Sequence, residues 1–212
     1  MLKQPLYLVP YDFSPVSESA MRLAIDLAEV NNGSAYLLHI AKNNSEKKTA
    51  RSEFDEIFEN LKESEKVLVT TSVIIGDLYE DMSKAGELLK ASLIVMGTHG
   101  AHGMQKIFGS HAVKMISNSA TPFLITQGKK SIDKIKTIVM PFSFAKESIQ
   151  IATFAGSIAK KFNATIHLVG FHDKDEWLGS HTKGNQLIVS KLLSKNNIAY
   201  EIINLPKKKS YE

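Results

Sequence analysis

Two rhythms of apolar positions alternate along the first 126 residues. Short continuous apolar runs at Leu6–Val9, Ala35–Ile40, Val67–Ile75, Leu93–Met96 and Phe123–Thr126 predict buried strands. Between them the period changes to that of a helix. Ala20, Leu23, Ala24, Leu27 and Ala28 share one face, with Ser17 placed to cap the start and Gly33 to end it. The polar stretch Ala41–Ala50 predicts a loop, and Phe54, Ile57, Phe58 and Leu61 then form a helical stripe among charges. Gly76-Asp77 introduces a helix over Leu78–Lys90, and a further helix is predicted from about Ser110 to Asn118.

Strand and helix therefore alternate five times. That order predicts an α/β fold with an open, parallel, doubly wound sheet and right-handed crossovers. Such sheets bind ligands beyond the carboxyl ends of their strands, where the strand order reverses. Asp12 and the loop Gly97–Gly109 both directly follow strands and so fall on that edge.

The pattern then begins again. Thr137–Ser143 echoes Tyr7–Asp12, Glu147-Ser148 echoes Glu18-Ser19, and Asn163–Val169 echoes Ser34–Ile40. Residues 1–128 are read as one domain, 129–136 as a polar, lysine-rich linker and 137–212 as a partial second copy, truncated at its C-terminal side. The second copy has its third strand at about Ile198–Leu205, has no counterpart of the glycine loop, and carries Ser143 where the first has Asp12. At most one competent site is expected, in the first copy.

Composition narrows the chemistry. The 212 residues are 43% hydrophobic and 23% charged, ordinary globular usage, and contain no Cys. Cysteine-ligated metal, disulfides and a thiol nucleophile are thereby excluded. No apolar run is long enough for a transmembrane helix, and the start MLKQPLYLVPYD does not read as a signal peptide, so a cytoplasmic protein without membrane association is expected. Charge is uneven: residues 1–130 carry 14 basic and 15 acidic side chains, and residues 131–212 carry 12 and 7. The excess gathers in a short tail, Lys207, Lys208 and Lys209, without the interleaved aromatics of a nucleic-acid surface, so a solvated tail is expected and no nucleic-acid partner.

The candidate chemistry lies in Ile94-Val-Met-Gly-Thr-His-Gly100 and in Gly109-Ser110. Glycines admit close backbone approach, and amides beside a helix N-terminus make a cradle for phosphate. The same glycines serve equally for tight strand-to-helix turns. The chain resembles the universal stress protein family. The resemblance rests on VPYDFS at the first strand, LLHI at the second, VMGTHG, Gly109-Ser110 and TPFLIT in the last strand, over residues 1–128 and weakly to about 205.

This resemblance implies a flavodoxin-like, adenine-nucleotide-alpha-hydrolase-like sheet of five parallel strands. It also implies a bound adenine nucleotide, ATP or another, with magnesium as an optional companion. In such proteins an Asp after the first strand meets adenine, the second strand borders the base, and a Gly-x-x-Gly, nine residues, Gly-Ser/Thr motif holds ribose and phosphates. Carried over, the site is Asp12, Ile40, Gly97, Gly100, Gly109 and Ser110, with Pro10, Tyr11, Met96 and Thr98 lining it. Here only eight residues separate Gly100 from Gly109, which shifts the phosphate donors by up to about 3.5 Å of chain reach. The resemblance further implies pairing through the fifth strand, so a homo-oligomer through Pro122–Thr126 is expected.

Other chemistries find less support. No Gly-x-x-x-x-Gly-Lys-Ser/Thr loop occurs, so a binding switch rather than an enzyme is expected, with slow ATP hydrolysis at most. His99, His102 and His111 could in principle gather zinc, but no carboxylate adjoins them. Ser110 lacks the Gly-x-Ser-x-Gly elbow that a triad with Asp12 would need. Trp177 stands in the polar segment FHDKDEWLG, read as a loop, as an anchor or partner contact. The alternative to a nucleotide switch is a nucleotide-independent dimerisation scaffold on the same fold.

Overall fold

The structure, a computed structural model, describes residues 4–98, 115–127, 135–142, 147–171 and 176–205. The chain divides into two compact units, Met1–Ile132 and Asp133–Glu212.

In the first unit, β1 (Leu6–Pro10), β2 (Ser34–Ala41), β3 (Val69–Ile75), β4 (Leu93–Gly97) and β5 (Phe123–Thr126) form one parallel sheet in the order β3-β2-β1-β4-β5. The chain winds outward from β1 to β3, then returns to the other side of β1. The order thus reverses between β1 and β4. Helix α1 (Pro15–Asn31) packs on β1, β2 and β4, and α2 (Asn44–Asn60) on β2 and β3. Met82 of α4 (Leu78–Leu88) joins Leu8, Leu38, Ile94, Met96 and Met115 in one buried cluster. Residues 115–117 are helical.

The helix boundaries correct three sequence expectations. Helix α1 is capped by Ser14, not Ser17: the Ser14 hydroxyl accepts from Ser17 N–H at 3.3 Å, and Pro15 takes the first helical position, where no N–H is needed. Its end is Asn32 in the left-handed conformation, φ 49°, one residue before Gly33. The segment Ala41–Ala50 is not a loop. Asn43 accepts from Glu46 N–H at 2.9 Å, while Glu46 Oε2 accepts from Lys42 N–H at 2.8 Å, and this reciprocal cap starts α2 at Asn44. A short helix, α3 (Glu63–Lys66), delays β3 to Val69. There the nearly buried Glu65 carboxylate accepts from Lys62 N–H at 3.0 Å and pairs with Arg22 at 3.2 Å.

The second unit comprises β6 (Thr137–Phe142), α5 (Glu147–Phe162), β7 (Thr165–Phe171), α6 (Glu176–Lys195) and β8 (Tyr200–Leu205), with parallel strand order β6-β7-β8. Its core joins Met140, Phe142, Ile166 and Leu168 to Ala152, Ala155 and Ala159 of α5 and Val189 and Leu193 of α6. Trp177 belongs to the first turn of α6 rather than to a loop. The strand–helix–strand order of β1, α1 and β2 recurs in β6, α5 and β7, in a register that differs from the sequence echo. Asn163 stands where Asn32 stands, each with φ 49° at a helix end. Pro141 lies beside Val169 as Pro10 lies beside Leu38. Gly170 therefore occupies the place of His39, and a Cβ there would come within 2.5 Å of the Phe142 ring. Val139 matches Leu8, yet Val139 is 65% exposed and Leu8 is 0%.

Candidate functional site

The carboxyl edge of the first sheet gathers most of the predicted residues. Main-chain groups of successive β1 residues point alternately to β4 and β2. Ser92 N–H donates to Leu6 C=O at 2.8 Å on the β4 side, and Tyr11 N–H donates to Leu38 C=O at 3.0 Å on the β2 side. By that alternation Pro10 faces β4, and it has no N–H to donate. The β1–β4 pairing covers only Tyr7 with Leu93 and Leu8 with Ile94, whereas β1–β2 continues to Pro10 with Leu38. The strands part where the strand order reverses, and the crevice opens there.

Asp12 stands exposed at this edge, one residue past the buried Tyr11. Its Oδ1 accepts from Ser14 N–H at 3.1 Å and from the Ser14 hydroxyl, the same hydroxyl that caps α1. Partial withdrawal from water works against its charge, but the Ser14 and Ser17 hydrogen bonds outweigh this and hold the carboxyl below the usual carboxylate range. Asp12 is therefore an anion at neutral pH, aimed by a helix cap. Burial pushes the neighbouring Tyr11 phenol up to about 12, so it stays protonated.

Phe13 completes the turn with φ 62°, a conformation that costs a bulky side chain about 1–2 kcal/mol. Its ring lies 5.3 Å from Tyr11, 5.0 Å from Phe54 and 5.0 Å from His39, and this aromatic packing opposes the strain.

On the other wall, Met96 is buried toward α4, and Thr98 is buried with its N–H donating to Thr126 C=O at 2.9 Å. Gly97 serves a purpose that the sequence did not reveal. A Cβ at this position would lie 2.6 Å from the Val16 carbonyl carbon and closer still to its oxygen. The absent side chain lets the first turn of α1 rest against β4, so Gly97 sets the position of the cap that aims Asp12. Ile40 is half-buried beside Ile74 and packs against the cluster on the α4 side. Gly100, Gly109 and Ser110 lie outside the described residues, as do His99, His102 and His111.

His39 was missed, although it is part of the LLHI motif. It is 9% exposed, and its Nδ1 lies 2.8 Å from Tyr11 C=O. A carbonyl only accepts, so Nδ1 carries the proton. Its identity was visible in the sequence; its burial against the Asp12 turn was not.

Among the described residues no group of three metal-ligating side chains occurs. A separate open cleft of about 660 Å³ lies at the start of α4, lined by Asp77, Tyr79, Glu80, Ser83, Lys84, Met115 and Asn118. None of the predicted site residues is among these. At this edge Asp12 offers an ionised acceptor beside apolar residues, an arrangement able to take a hydrogen bond from an amine.

Comparison with known proteins decides the family. A family model described as the universal stress protein family matches residues 7–127. The chain belongs to that family. The fold is accordingly the flavodoxin-like open parallel sheet, followed by a second, three-stranded parallel sheet. A universal stress protein from Archaeoglobus fulgidus is 17% identical, covering 96% of this chain and 79% of its own, with a TM-score of 0.71. A putative universal stress protein from Pseudomonas aeruginosa is 16% identical over 96% of this chain and 75% of its own, with a TM-score of 0.63. Another Archaeoglobus fulgidus universal stress protein, solved in complex with dAMP, is 18% identical over 59% of this chain and 98% of its own, with a TM-score of 0.44. No curated protein matches. No described helix is long and apolar enough to cross a membrane.

Proposed function

We propose that the first unit binds an adenine nucleotide, ATP or a close relative, in the crevice between β1 and β4, and that occupancy acts as a switch in a cytoplasmic stress response. The observation that carries this is Asp12, held ionised by the cap of α1 where β1 and β4 part. Family membership supports the ligand class. Asp12 would accept from the adenine amine. Pro10, Tyr11, Ile40, Met96 and Thr98 would border the base, and Gly97 would hold the wall in place. Gly100, Gly109 and Ser110 are assigned to ribose and phosphate, with any magnesium carried by the phosphates. The reading is of a binding module, with hydrolysis slow at most. Self-association is assigned to β5, an edge strand of the first sheet with half-buried side chains.

The test is native mass spectrometry and calorimetry on the full chain. One adenine nucleotide per chain is expected. Asp12→Ala should weaken ATP binding about 10- to 100-fold, the worth of a hydrogen bond to a charged group. A wild-type chain that arrives empty and refuses ATP would overturn the reading in favour of a nucleotide-independent scaffold.

A further inference from the structure

The chemistry of His39 is only half used by the fold. Its Nδ1–H donates to Tyr11 C=O, the carbonyl immediately before Asp12. Its Nε2 is buried and has no hydrogen-bond partner. Oε1 of Glu46 lies 3.8 Å away, too far for a hydrogen bond but close enough for an ion pair if the ring is charged. The other oxygen of Glu46 already accepts from Lys42 N–H at the cap of α2. In the neutral ring Nε2 presents only a lone pair, and a carboxylate oxygen can only accept. A proton on Nε2 converts this mismatch into a charge-assisted pair and makes the Nδ1–H a stronger donor to Tyr11.

We infer that His39 is a proton-operated positioning residue for the nucleotide site: protonation at Nε2 ties the Asp12 turn through the imidazole to Glu46 and α2, and so strengthens ligand binding. This rests on the nucleotide reading given above. The groups against the ring come from each packed element. Tyr11, whose carbonyl meets Nδ1, stays neutral at its phenol; Glu46 belongs to α2, Phe13 to the turn, and Val73 of β3 is its register neighbour. Glu46 is thus the ionisable group placed to answer a charge on His39. Histidine is the side chain whose charge ordinarily changes between pH 5 and 8. By linkage, the ligand must take up a fraction of a proton when it binds at intermediate pH.

The experiment measures ATP affinity of the full chain at about pH 6 and pH 8 for wild type, Glu46→Gln and His39→Asn, with the His39 ring followed by NMR in the free protein. Glu46→Gln keeps an acceptor for Lys42 N–H, and His39→Asn keeps a donor for Tyr11 C=O, so both variants retain the folded turn. Titration of the ATP phosphates is common to all three proteins and cancels in the comparison. Wild type should gain about five-fold or more in affinity at the lower pH relative to both variants. In the free protein, the ring of Glu46→Gln should protonate at lower pH than that of wild type. Parallel pH profiles in all three proteins would overturn the inference while leaving nucleotide binding intact. Absence of ATP binding at either pH would defeat the nucleotide reading and, with it, this role for His39. An unchanged ring titration in Glu46→Gln would by itself remove the Glu46 partnership.

Discussion

Replacing Gly97 by Ala tests whether this glycine is a packing device. Its new Cβ would stand 2.6 Å from the Val16 carbonyl carbon, against an ordinary carbon–carbon contact of about 3.5–4.0 Å. The backbone of α1 would have to retreat by about 1 Å, and that backbone is anchored on β1, β2 and β4. Overpacking of this kind costs about 1–3 kcal/mol. Removing a glycine from a strand returns about 0.5–1 kcal/mol, so a net loss of about 1 kcal/mol, and at most about 2.5 kcal/mol, is expected. Because the obstacle is a main-chain carbonyl, trimming the neighbouring side chain with Val16→Ala should not restore stability.

The assay is urea unfolding followed by two probes. The chain's single tryptophan, Trp177, lies in the second unit, so fluorescence reports that unit and circular dichroism reports both. The first-unit transition should move to lower urea while the fluorescence transition stays in place. ATP affinity should also fall, because the displaced helix carries the cap that aims Asp12. A stability change below about 0.5 kcal/mol with unaltered binding would refute the packing argument.

Further predictions follow from the same contacts. Ser14→Ala removes both the cap of α1 and the hydroxyl donor to Asp12, while the main-chain N–H donor stays; it should cost about 1 kcal/mol by urea unfolding and let the Asp12 carboxyl return part of the way toward its ordinary range in a carbon-13 titration. Burial opposes the charge of Glu65, but Lys62 N–H and Arg22 overcome it and depress the carboxyl, so its contribution to stability is complete above the unfolded carboxylate value of about 4.3 and lost as pH falls through the lower folded value. Glu65→Gln should therefore flatten the acid limb of the stability profile. Leu8→Ala should cost about 2–5 kcal/mol, while the matching change in the second unit, Val139→Ala, should cost less than about 0.5 kcal/mol, because one position is sealed and the other open.

What could be read from the sequence was whatever depended on local rhythm. The strands emerged within about two residues because their apolar runs are short and bounded by turn signals. Helix α2 was misread at its start because its buried residues begin only at Ala50; the Asn43-x-x-Glu46 cap was nevertheless written in the chain. The place of Asp12 at the carboxyl edge of the sheet was legible, because it closely follows a buried strand. The packing role of Gly97 and the burial of His39 were not, since each depends on a segment distant in sequence: Val16 for one, the Tyr11 carbonyl for the other. The register of the repeat slipped by two residues because Asn163 and Ser34 both precede apolar runs, while the structural equivalence runs from Asn163 to Asn32.

The two strand orders also assign the units different folding histories. In the second unit every strand pairs with the next one along the chain, β6 with β7 and β7 with β8. Contacts of that kind form early, because little chain must be closed into a loop. In the first unit β1 becomes central only when Leu8 meets Ile94. Until then one edge of the strand that carries the Asp12 turn is open, with its apolar residues bare. The interval before β4 arrives is when a nascent chain is most exposed to pairing with a stranger, and the ligand crevice cannot exist before it closes.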